Sequence, residues 1–101
     1  MIANNKEVGI LFRKDEDDEF YAGNRNLIRN CIIKDNGSNN KGVGIDVRWK
    51  TKDITVENTR FINSQNGNQK TGIQISKDAG KINSTGNTFE RTDTEIKKLT
   101  E

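Results

Sequence analysis

The chain has 101 residues, 17 Lys and Arg against 15 Asp and Glu, and a formal net charge of +2. That length excludes more than one domain, and the near-balanced charge, with no basic stripe interleaved with aromatics, argues against nucleic acid as a partner. No apolar run is long enough for a transmembrane helix, and one Cys with no His rules out an internal disulfide and argues against a zinc or copper centre.

From the N-terminus, Met1 to Glu7 carries neither the apolar stretch of a signal peptide nor a capping pattern. Val8-Gly9-Ile10-Leu11-Phe12 then alternates apolar residues at Ile10 and Phe12, which reads as a half-buried strand. Residues 13–24 are charged and include five consecutive acidic residues, Asp15 to Glu19. Asn30-Cys31-Ile32-Ile33 is a second strand signal, followed by a segment over 35–42 rich in Asn and Gly, the residues that turn corners at low steric cost. The same succession returns as Val43-Gly44-Ile45-Asp46-Val47, then Ile54 to Phe61, then a turn segment over 63–70. It returns again as Thr71-Gly72-Ile73-Gln74-Ile75, a turn over 77–80, and Ile82 to Phe89.

The spacings of these phrases repeat. Ile33, Phe61 and Phe89 are 28 residues apart, as are Gly44 and Gly72, whereas Gly9 and Gly44 are 35 apart, so the first unit carries about seven extra residues within 13–24. A unit of this size cannot bury its apolar side alone, but stacked units can. The chain is therefore expected to be all-β: a parallel β-helix solenoid of about three coils over residues 1–92. The fourteen Asn and nine Gly suit its corners, and Pro, which cannot donate to a sheet ladder, is absent. Asn30 and Asn58 fall in register and are expected to stack through their amides, with Gly86 breaking the stack. Cys31 aligns with Thr59 and Asn87 at a position for small side chains. With Leu, Ile, Val and Phe at 23 of 101 residues, disorder is the rival reading, and the periodic placement argues against it.

The remainder, 93–101, is expected to be either a tail or a short capping helix. Thr92 or Asp93 is an N-cap, lysines come late, and Ile96 and Leu99 lie three apart. The open N-terminal coil is expected to meet further β-helix coils of a longer protein or a second subunit.

The phrase Gly44-Ile45-Asp46-Val47 with Ile54 to Phe61, and its counterpart Gly72 to Ile75 with Ile82 to Phe89, resembles the right-handed parallel β-helix repeat of the pectate-lyase-like superfamily. The resemblance covers roughly residues 8 to 92. It implies the fold, and a polysaccharide bound or cleaved along one long face. No catalytic motif of that superfamily is legible, so no catalytic residue is carried over.

Two places could carry chemistry. If Ile45 and Val47 point inward, Asp46 and Arg48 point outward beside Leu11 and Arg13 of the first unit and Gln74 and Ser76 of the third. Arg13, Arg48, Asp46 and Trp49 then form a candidate carbohydrate site, with guanidiniums for an acidic sugar's carboxylate and an indole for its ring. A solvated sheet face, with Trp49 closing a corner of the core, is the plainer reading. The acidic loop is the second place. Asp15, Asp17 and Asp18 are candidate calcium ligands, but consecutive carboxylates cannot all face one ion, and a solvated loop is the alternative. No other cofactor is expected. The sequence thus points to a β-helix module that binds carbohydrate without catalysis of its own. A fragment of a polysaccharide lyase or hydrolase and a structural assembly module are the alternatives.

Overall fold

The computed structural model describes residues 1–12, 26–48, 51 and 53–99. These residues form eleven strands and no helix: β1 (Ile2–Ala3), β2 (Val8–Phe12), β3 (Leu27–Arg29), β4 (Ile32–Lys34), β5 (Gly42–Val47), β6 (Ile54–Glu57), β7 (Arg60–Ile62), β8 (Gln69–Ile75), β9 (Ile82–Thr85), β10 (Thr88–Glu90) and β11 (Thr94–Lys98). The all-β expectation holds.

Every strand pairs in parallel with the strand three places along the chain. The result is three separate sheets, ordered β1-β4-β7-β10, β2-β5-β8-β11 and β3-β6-β9. Parallel pairing needs a long connection between partners, and here each connection passes through a strand of both other sheets. The registers carry the sequence period: Ile45 lies opposite Ile73, Phe61 opposite Phe89 and Ile54 opposite Ile82, each pair 28 residues apart. Ile10 lies opposite Ile45, 35 residues on, so the extra residues leave the pairing intact.

Period-two alternation sends one side of each strand inward. Ile33, Ile45, Val47, Ile54, Val56, Phe61 and Ile73 are fully buried. Each such side chain removed from water contributes roughly 1.5–3 kcal/mol. Phe61 and Phe89 stack with ring centroids 4.8 Å apart and planes 9° from parallel.

The glycine that opens each repeated phrase lies against this apolar column. A Cβ on Gly44 would come within 2.9 Å of Cδ2 of Phe61 and 2.7 Å of the Gly72 carbonyl oxygen. One on Gly72 would come within 2.5 Å of Cε1 of Phe89, and one on Gly9 within 3.1 Å of Cγ2 of Ile33. None of the three has a positive φ, so they supply space and not an unusual backbone conformation.

Conformation is supplied elsewhere. Asn30, Asn58 and Gly86 occupy one corner of successive units with φ of 54°, 50° and 67°. Asn and Gly tolerate this left-handed region best. The expected amide stack is not made there: both asparagines are exposed, and among the described residues their side chains make no hydrogen bond, while their backbone N–H groups donate to the carbonyls of Glu57 and Thr85. Amide bridging occurs instead at a buried corner. Asn36 Nδ2 donates to Gln69 Oε1 at 2.8 Å, Gln69 Nε2 donates to the Ile33 carbonyl at 3.0 Å, and Gln69 N donates to Asn63 Oδ1 at 3.1 Å. Asn5 joins the network by donating its own Nδ2 to Asn36 Oδ1 at 2.9 Å.

The C-terminal segment corrects the helix option. Thr94–Lys98 is a strand, with Ile96 opposite Ile73 and Lys98 opposite Ile75 on the edge of β8. So short a segment holds a helix poorly by itself, whereas the open edge of β8 offers partners for its backbone.

Gly44→Ala should destabilise the protein by roughly 1–3 kcal/mol through overpacking, read from the urea midpoint. Phe61→Leu in the same chain should not restore stability, because the Gly72 carbonyl also stands in the way.

Candidate functional site

The outer face of the β2-β5-β8-β11 sheet carries the candidate site. With Ile45 and Val47 turned inward, Asp46 lies on the opposite side of β5, and the registers set Leu11, Asp46, Gln74 and Lys97 in one row. The neighbours expected for Asp46 from the sequence, Leu11 and Gln74, are the ones found.

Asp46 is only 1% exposed although it belongs to the outer face. Its charge is answered by Arg48, whose Nε and Nη2 both lie 2.8 Å from Oδ2. Gln74 Nε2 donates to the other oxygen, Oδ1, at 3.4 Å. The backbone helps to place Arg48, since its N–H donates to the Phe12 carbonyl at 2.8 Å and continues the ladder past the end of β5. A guanidinium has five N–H donors, and Asp46 engages those on two nitrogens. The Arg48 side chain is 57% exposed, so it offers the rest outward from a fixed position.

A groove of about 480 Å³ runs over this face. Lys6, Lys41 and Arg48 supply its positive charge, Glu7 and Asp46 its negative charge, and Val8 and Leu11 an apolar stretch. Among the described residues Lys6 and Lys41 form no ion pair, while Arg48 answers Asp46. Among the described residues, the free charge of the groove is therefore that of two ammonium groups against Glu7, with an oriented guanidinium beside them. Such a surface can bind an anion by charge-assisted hydrogen bonds.

Of the four residues expected at a carbohydrate site, the structure brings Arg48 and Asp46 together as an ion pair. Arg13 and Trp49 lie outside the described residues, as do the calcium candidates Asp15, Asp17 and Asp18. Among the described residues no three His, Cys, Asp or Glu side chains converge. Lys6 and Lys41 were not anticipated. Both precede a strand rather than belonging to one, and only the corner geometry carries them to the groove. Counting back from Val43 to Lys41 along the repeat was the signal available. Cys31 is a free thiol aligned with Thr59, as expected, and donates to the Arg29 carbonyl at 3.3 Å.

No family model, characterised protein or solved structure matches the chain.

The Asp46–Arg48 pair sets a testable asymmetry. Arg48→Ala leaves a buried carboxylate uncompensated and should cost roughly 2–3 kcal/mol. The double variant Asp46→Ala/Arg48→Ala should cost less than Arg48→Ala alone when both are measured by urea denaturation.

Proposed function

We propose that this chain is a parallel β-helix module of the pectate-lyase-like kind, and that it binds an acidic polysaccharide along the groove on the outer face of β2, β5 and β8. The β-helix reading is supported by the pairing of each strand with the third one along and by the 28-residue registers. The binding reading rests on one observation: Lys6, Lys41 and an Arg48 oriented by Asp46 lie along a single open groove. A uronate-type polymer presents regularly spaced carboxylates to such a row, and Val8 and Leu11 provide an apolar strip for the carbon faces of its sugar rings.

The module is non-catalytic in this reading. A general base must reach its substrate's proton, and Asp46, only 1% exposed and held by Arg48 and Gln74, is covered from a bound polymer. A polysaccharide lyase remainder is separated by assaying for unsaturated uronate products, which this reading expects to be absent.

Retention on an immobilised uronate polymer at low salt, compared with a neutral polymer, tests the binding. Lys6→Ala/Lys41→Ala should lower affinity for the acidic polymer by roughly tenfold or more, and added salt should weaken the wild type likewise. Equal retention on both polymers, or no change in the variant, overturns the proposal.

A second reading, self-assembly, has its own observation. Among the described residues the exposed large apolar side chains are Met1, Leu11 (39%), Leu27 (52%) and Ile96 (47%), and the last three lie on β2, β3 and β11, each at the margin of its sheet. Open margins of this kind invite pairing with another chain. Light scattering after size exclusion should then show mass rising with concentration, and Leu27→Lys/Ile96→Lys should abolish the rise. A monomer at every concentration removes this reading.

A further inference from the structure

A second groove of about 630 Å³ lies where the corner segments between β4 and β5 and between β7 and β8 stack on one another. Its chemistry differs from that of the sheet face. Asp35, its one carboxylate, is consumed internally, because Oδ1 accepts from Ser64 N at 2.7 Å and Oδ2 from Ser64 Oγ at 2.6 Å. What remains is mostly neutral: the side-chain amides of Asn4, Gln65 and Asn66 make no hydrogen bond among the described residues. Asn68 spends only its Oδ1, on the Asn40 N–H at 2.9 Å.

These amides stand on segments tied down by the backbone. Gly42 N donates to the Asn68 carbonyl at 2.7 Å, Gly67 N to the Ser64 carbonyl at 2.8 Å, and Gly37 N to the Asn5 carbonyl at 2.7 Å. A pre-ordered surface loses less conformational entropy on binding. An amide also offers two donors and an acceptor, which suits adjacent sugar hydroxyls that both donate and accept.

The two grooves adjoin: Lys6 and Ser38 line both, so the corner groove borders the one that carries Lys41 and Arg48. We infer that the corner is a second saccharide subsite: its amides hold the hydroxyls of further sugar units of the same polymer whose carboxylate lies against Lys41 and Arg48. This inference rests on the polysaccharide reading above. It adds that recognition passes around the corner from a positively charged part to one dominated by side-chain amides, and that affinity therefore grows with chain length.

Titration calorimetry with uronate oligomers of two and of eight units tests it. The wild type should bind the longer oligomer at least tenfold more tightly. Gln65→Ala/Asn66→Ala, which removes two amides without internal partners, should lower affinity for the longer oligomer by roughly tenfold and leave the shorter one unchanged. In the wild type, the backbone amide resonances of residues 64–68 should shift with the longer oligomer and not with the shorter, a readout that does not depend on the variant folding. Binding that is lost in Lys6→Ala/Lys41→Ala but ignores both length and the amide variant overturns this inference alone, leaving the corner an ordinary solvated surface. Absence of binding to either oligomer overturns it together with the reading on which it rests.

Discussion

Gly44 and Gly72 lie against the rings of Phe61 and Phe89, with a neighbouring backbone carbonyl closing the space from another side. Each ring belongs to the β1-β4-β7-β10 sheet and each glycine to the β2-β5-β8-β11 sheet, so this contact sets how closely two of the three sheets approach. The spacing of 17 residues between glycine and ring in the second and third units is the length of chain needed to leave one sheet, traverse the β3-β6-β9 sheet and reach the sheet of the ring. In the first unit the pair is Gly9 and Ile33, 24 residues apart, and the same fit survives the longer path. Once these sheets are at their distance, the inward residues of every strand meet in a single core and the outward residues are left in rows.

The polar residues divide the remaining work by burial. Asparagine at Asn30 and Asn58 turns an exposed corner through its backbone, where a left-handed φ is required. Asparagine and glutamine at Asn36, Asn63 and Gln69 are buried and close hydrogen bonds that the bend in the chain would otherwise leave open. A buried amide without such partners would be costly, so the network allows the corner to be both tight and dry. Its outer side is the surface carrying Asn66 and Asn68, and its proximity to the sheet face makes the two grooves neighbours.

Much of this was legible in the residues. The registers of Ile45 with Ile73 and Phe61 with Phe89 follow from the period alone, because positions 28 residues apart pair with one another. The row of Leu11, Asp46 and Gln74 follows from the same period and the two-residue alternation. The segment from Thr94 to Lys98 was less legible, since Ile96 and Leu99 fit a helix as well as Ile96 fits a strand, and the open edge of β8 decides between them. The stacking expected of Asn30 and Asn58 had the right register but the wrong burial. Two asparagines in line share a ladder only where their side chains turn inward, and the left-handed backbone here leaves theirs at the surface.

By itself, the sequence determined the period, the all-β class, the parallel registers and the inward residues, because these depend on local alternation and on like stacking upon like. Only the tertiary structure decided that the glycines are there for space, that the dry amides lie at Asn36 and Gln69, and that Asp46 is buried by its pairing with Arg48. It also decided that Lys6 and Lys41 reach the groove. Those outcomes depend on the distance between sheets and on the path of the chain around a corner, which the period alone does not fix.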